Sequence, residues 1–278
     1  MVEGTIAVNH RGPCTLHTYI APEEGEMVCS HIIETPGHLV IIDTQLLIPC
    51  AREVRAYAQE LGKPIERVVV THTHPDHWMG LEVFADLPTS AFPETTAELA
   101  QIGEYLLDLK RKTLGDRIAG RLVLPAGDLA EGDVTLDGVR LRWEKLLDAE
   151  APLMALAELP EEQTLVAQDL VYNGVFLVVG DKNAAGEYLF DGWLRALRDA
   201  QGLRPAAFWP WRAGLSSDPG RAPWLHHLHE AAFRSGCGRA EAAPRSHAAV
   251  SRLQGARDAG PDESVPVPPY VVAGEERQ

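Results

Sequence analysis

Positive charge is scarce in this 278-residue chain: 25 Lys and Arg stand against 40 Asp and Glu, a formal net charge of −15. Such a balance repels a polyphosphate backbone, whose binding draws on cations that displace condensed counterions. Nucleic acid is not an expected partner. Cysteine is scarce too. Cys14, Cys29, Cys50 and Cys237 lie too far apart for a CxxC knuckle, and four in a chain of this length make no disulfide scaffold. No apolar run approaches the ~18 to 20 residues that cross a bilayer, and the opening MVEGTIAVNHRG lacks the basic and apolar regions of a secretion signal. Together these absences lead to the expectation of a cytoplasmic protein without a membrane partner.

What is present is an ordinary globular balance, 45% hydrophobic and 23% charged, in a length that suits one large α/β domain plus extras. Residues 38–44 (HLVIIDT) follow the turn signal at 35–37 and read as a buried strand. Residues 49–61 read as a helix entered at Pro49 and left at Gly62, and residues 67–71 (RVVVT) as a second strand. A strand, helix, strand unit makes the two strands parallel, and chemistry in such units sits beyond their carboxyl ends. Helical patterns recur at 94–114 and at 191–202, where Trp193, Leu194 and Leu197 share a face. Between them, from Arg121 onward, short apolar stretches divided by Gly, Asp and Pro predict strands in a meander, and 206–211 (AAFWPW) predicts one more strand. From residue 235 periodicity fades into Ala, Gly, Arg, Pro and Ser. The expected organisation is a folded domain at 1–234 and a loosely packed extension at 235–278.

Beyond the second strand stands His72-Thr73-His74-Pro75-Asp76-His77. Two imidazoles at i and i+2 of an extended stretch point the same way, while Asp76 and His77 can turn to a second point a few ångströms off. Four donors on six residues behind a rigid strand indicate a metal site.

This string, with its preceding strand and the earlier strand ending in Asp43, resembles the HxHxDH signature of the metallo-β-lactamase superfamily over about residues 5–215. The resemblance implies an α/β fold, an αββα sandwich of two mixed sheets flanked by helices with metals at one edge between the sheets. It implies His72 and His74 on a first zinc, Asp76 and His77 on a second, and a bridging role for Asp169, which ends the stretch Leu165-Val166-Ala167-Gln168-Asp169. The family's further His, nineteen positions before the bridging Asp, is Glu150 here, and no histidine occurs between His77 and His226. A carboxylate oxygen binds zinc at ~2.0 to 2.2 Å, which makes Glu150 a candidate for the missing nitrogen. The alternative is a Glu150 facing solvent beside a weak or empty site.

The family's late His is also absent: Trp211-Arg212-Ala213-Gly214 follows the last expected strand. Arg212 cannot ligate; it reads as a partner for Asp76 or Asp169, or as an anchor for an anionic substrate. His226, His227 and His229 come too late and read as surface residues. Asp43 reads as the group orienting the His loop through a hydrogen bond. Tyr172 and Asn173 are expected to line the pocket. Trp78 and Met79, with Phe208, Trp209 and Trp211, form either an apolar wall for the substrate or part of the core.

With one or two zinc ions the resemblance implies hydrolysis, in which a bound water falls from pKa 15.7 towards ~7 and Asp76 orients or deprotonates it; iron, the other ion the family takes, implies oxygen or persulfide chemistry instead. The acidic balance disfavours a nuclease, no flavodoxin-like domain follows, and no export signal supports a periplasmic lactamase. A small ester, thioester or lactone is left as the small-molecule substrate. The readings from other classes are a non-hydrolytic lyase, isomerase or oxygenase, and a non-catalytic binding protein with a degraded metal site.

Overall fold

The computed structural model describes residues 3–172, 179–183, 185–202 and 207–208. Asn173, Trp209, Trp211, Arg212, the three histidines at 226, 227 and 229 and the extension at 235–278 lie outside the described residues.

The chain begins with a hairpin, β1 (Thr5–Arg11) and β2 (Cys14–Ile20), and continues antiparallel through β3 (Cys29–Glu34) and β4 (Leu39–Ile42). Helix α1 (Ile48–Glu60) then carries it across to β5 (Ile65–Val69), parallel to β4 as the crossover requires. A short helix, α2 (Pro75–Trp78), leads through a 3₁₀ turn to β6 (Thr89–Ala91). The long α3 (Pro93–Leu114), entered at a proline and closed by Gly115, leads to β7 (Gly127–Asp128). These seven strands form one sheet in chain order. The second sheet holds β8 (Gly132–Leu136), β9 (Val139–Leu147), β10 (Leu153–Leu159) and β11 (Thr164–Val166), all antiparallel. After α4 (Phe190–Gly202), β12 (Ala207–Phe208) pairs parallel with β11. Of the expected meander, β8 to β11 are present; its last stretch, 175–181 (VFLVVGD), lies at 175–178 outside the described residues. The stretch at 121–128 departs from it: having crossed over through α3, the chain returns parallel to β6 and extends the first sheet.

Period-two alternation sorts the strands into four layers. Leu39, Ile41 and Val68 pack with Ala51, Val54, Leu99 and Leu106 of the two long helices. Their neighbours Val40, Ile42 and Val69 face the other way, onto Val139, Leu141, Trp143 and Ala155 of the second sheet. On that sheet's outer side, Met154, Leu156 and Leu165 pack against Trp193 and Leu197 of α4. Helices, sheet, sheet and helix follow in that order: an αββα sandwich. At the edge where β4 and β5 end, the Ala155 amide donates to the Thr71 carbonyl at 2.9 Å and ties the sheets together. No helix among the described residues is long and apolar enough to cross a membrane.

Candidate metal centre

Three pieces of chain meet at that edge. The first is the loop after β5, where His72 and His74 leave the strand and Pro75 opens α2, placing Asp76 and His77 on its first turn. The second is the tip of the β9–β10 hairpin. Its closing bonds, Asp148 N–H to Pro152 O at 3.0 Å and Ala149 N–H to Ala151 O at 3.1 Å, turn Glu150 inward, where it is buried. The third is the 3₁₀ turn after β11, which carries Gln168 and Asp169.

Their side chains form two groups, within each of which one donor atom per residue lies within 4.8 Å of the others: His72, His74, Glu150 and Asp169, and then Asp76, His77 and Asp169. Asp169 belongs to both. His72 Nε2 stands 3.6 Å from Glu150 Oε2, and His74 Nδ1 3.3 Å from Glu150 Oε1. His77 Nε2 stands 3.4 Å from Asp76 Oδ2 and 3.2 Å from Asp169 Oδ2. Two ligand atoms each ~2.0 to 2.2 Å from a tetrahedral ion are about 3.4 Å apart, so these separations suit donors sharing a cation. The buried atoms His72 Nε2, Glu150 Oε2 and Asp169 Oδ1 have no hydrogen-bond partner, a costly arrangement that a bound cation resolves. The residues present fit a divalent ion. Glu150 does not face solvent.

Asp43 follows β4 directly with φ 61, a sharp left-handed turn that brings its carboxylate back under the His loop. It accepts from Thr71 N–H and Thr71 Oγ1, both at 2.8 Å, from His77 Nδ1 at 2.7 Å, and from the Gln168 amide. The sequence-based expectation that Asp43 orients the loop agrees with this geometry. Tyr172 donates to Asp169 Oδ2 at 2.9 Å and to Glu150 Oε1 at 3.3 Å, so it stands within the site. Trp78 does not stand at a pocket wall. It is 1% exposed in the core beside the first sheet, with its indole donating to Thr73 O at 2.9 Å, and Met79 is buried with it. On α2 the step from His77 to Trp78 turns the side chain by about 100°, away from the site.

One residue that the sequence reading missed is Asp181, whose Oδ2 lies 2.9 Å from His74 Nε2. No motif marks it, and only its place after a Gly beyond an apolar run hints at a strand end.

The electrostatics follow from burial and crowding. Burial lowers His72 well below the ordinary imidazole range, with His77 and His74 adding to the effect. Burial also works against charge on His74 and His77, yet Glu150 and Asp181 hold the first, and Asp169, Asp76 and Asp43 the second, well above that range. Burial pushes Glu150 up to about 7, with His74 pulling it down and Asp169 and Asp181 adding to the rise. Asp76 resists its own burial because His77 and His74 hold it below the usual carboxylate range.

The sequence model of the Metallo-beta-lactamase superfamily matches residues 25–210, and the chain belongs to that superfamily. Over 129 residues it is 41% identical to the linear primary-alkylsulfatase of Pseudomonas sp. (strain ATCC 19151); the match covers 45% of this chain and spans 22% of that relative's length. The solved metallo-beta-lactamase from Pontibacter korlensis superposes with TM-score 0.59 at 18% identity, covering 82% of this chain and 99% of that one. The mono-zinc form of the metallo-beta-lactamase FIM-1 from Pseudomonas aeruginosa gives 0.56 at 18% identity, covering 84% and 96%. At such identities the structural likeness speaks for the fold alone. The superfamily to which the chain belongs is one of metallohydrolases.

Proposed function

We propose that this chain hydrolyses a small ester, thioester or lactone with one or two zinc ions held by His72, His74, Glu150, Asp76, His77 and Asp169. The observation that carries this is the convergence of two donor groups through Asp169, with unpartnered buried donor atoms at their centre. Divalent ions bound there would acidify a water towards pKa ~7 and polarise the group it attacks. Asp76, held ionised at the partly exposed side of the cluster, would accept a hydrogen bond from the attacking water and orient it. Tyr172, with its hydroxyl on both Asp169 and Glu150, fixes the two carboxylates against each other and lines the substrate's place. The local identity to an alkylsulfatase supports extending the ester class to sulfate esters. A reducing, cytoplasmic setting belongs to the same reading, supported by Cys14, Cys29 and Cys50 as free, buried thiols.

The test is a metal-stripped chain reloaded separately with zinc, manganese or iron. It is assayed on p-nitrophenyl acetate, an acyl thioester, a γ-lactone and dodecyl sulfate. Zinc should restore turnover on at least one of them, and Asp76→Asn should lower it about 10²- to 10⁴-fold. Ion uptake without turnover on any member of the panel would count against hydrolysis, and activation by iron alone would point to other chemistry.

A further inference from the structure

Each of the three imidazoles at the centre has one nitrogen tied down on the outside and the other turned inward. His77 Nδ1 is on Asp43 at 2.7 Å, leaving Nε2 towards Asp169. His72 Nδ1 is on Thr71 Oγ1 at 3.0 Å, leaving Nε2 without a hydrogen-bond partner. His74 is oriented the opposite way: Nε2 is on Asp181, and Nδ1 faces Glu150.

We infer that Asp181 is a positioning residue of the metal centre: by accepting a hydrogen bond from the Nε2–H of His74, its carboxylate commits Nδ1 of that ring to the ion shared with His72 and Glu150. This rests on the metal-dependent reading above. A neutral imidazole that donates from one nitrogen offers its lone pair at the other, and a carboxylate on the donating side fixes both tautomer and ring plane. Nε2 and Nδ1 lie on different edges of the ring, so a His74 that rotated or changed tautomer would withdraw its donor from Glu150 and His72. Asp181 is well placed to prevent this. Its side chain is 10% exposed, against 16% for His74, so water competes little for the bond. The turn that follows is closed locally: Asn183 Oδ1 accepts from the amides of Ala185 and Glu187 at 3.0 Å each, and Lys182 bridges to Tyr188. The acid is therefore presented by a preformed turn 107 positions beyond the imidazole it holds. The first ion's geometry thus depends on a segment outside both the His loop and the Glu150 hairpin.

The experiment uses the full chain, stripped with a chelator and titrated with cobalt(II), following visible absorption and competition against a chromophoric chelator. Asp181→Ala should weaken the ion held by His72, His74 and Glu150 about 10- to 100-fold, leaving the ion at Asp76 and His77 as in the parent. Asp181→Asn, whose Oδ1 can still accept from Nε2, should recover most of that loss. Parent-like affinity at both ions in Asp181→Ala, or an Asn variant as weak as the Ala one, would overturn the inference. Independently of any variant, ¹⁵N spectra of the zinc-loaded parent should show His74 protonated at Nε2; protonation at Nδ1 would overturn it as well. A parent chain that takes up no ion would instead sink the metal-dependent reading, a failure visible before any variant is made.

Discussion

At the residue scale the site is a set of side chains each held by another. Asp43 has four hydrogen-bond donors on its two oxygens, one of them His77. Asp43→Asn keeps the volume but places an amide N–H against donors. Ion affinity at Asp76 and His77 is expected to fall about 10- to 100-fold, with a stability loss of about 1 to 3 kcal/mol, checked by chelator competition and urea unfolding. His31, buried beside Thr18, is shifted in the opposite sense to the candidate ligands His74 and His77: burial lowers it to about 4, the Gln168 hydrogen bond opposing and His77 reinforcing. Because the folded value lies below the ordinary 6.5, the unfolded chain binds the proton more readily. The stability tied to a neutral His31 is full above pH 6.5 and is lost as pH falls to about 4, at most about 3 kcal/mol. Unfolding curves from pH 7 to pH 4 should flatten in His31→Phe, and an unchanged slope would remove His31 from the account. Most of the candidate donors that meet at this edge stand out in sequence because four lie on six consecutive residues and Asp169 ends an apolar stretch. Asp181 was not, because its link to His74 exists only after both sheets have closed. The inward turn of Glu150 was likewise settled by the hairpin closure at Asp148 and Ala149.

At the scale of elements, the parallel unit β4, α1, β5 was legible from turn signals, Pro and Gly, and α3 and α4 from periodicity. Strands β1 to β3 were not. β2 and β3 carry His17, Thr18, Ser30 and His31 inward among their apolar residues, so both faces are buried and no clean alternation survives. The element that positions Asp76 and His77 depends on a close approach. Gly80 N–H donates to Gln45 O at 2.8 Å, and a Cβ there would lie 1.8 Å from the Thr44 carbonyl oxygen and 2.7 Å from the Ala51 Cβ. Thr44 in turn reaches His77 O through its amide, at 2.9 Å. Gly80→Ala must push the turn after α2 off the end of β4, carrying His77 away from Asp43. A loss of about 1 to 3 kcal/mol is expected, together with weaker ion binding at Asp76 and His77. Calorimetry and cobalt titration of the same sample would check both; a variant with parent stability and affinity would mean that the loop yields freely.

At the scale of the whole molecule, the centre is a place where the sandwich leaves buried polar atoms for an ion to compensate. Glu150, Asp169 and His72 are drawn from both sheets and keep unpartnered polar atoms in a buried setting, so the ion would act as a clamp between the layers. An ion that binds only the folded chain stabilises it by RT ln(1 + [L]/Kd), about 2.7 kcal/mol at a free concentration of 100 Kd. For a chain of this size each kcal/mol moves the melting midpoint by about 2 to 4 °C, so chelation should lower it by about 5 to 11 °C. The gain should shrink in acid. His74 and His77 hold protons well above the ordinary range in the ion-free chain, and these must leave before the ring nitrogens can ligate, so protons compete as pH falls. Scanning calorimetry with and without chelator at pH 8 and pH 6 would read both effects. A midpoint indifferent to chelator at either pH would mean that the sandwich closes its edge unaided, and that the inward carboxylates are neutralised by protons.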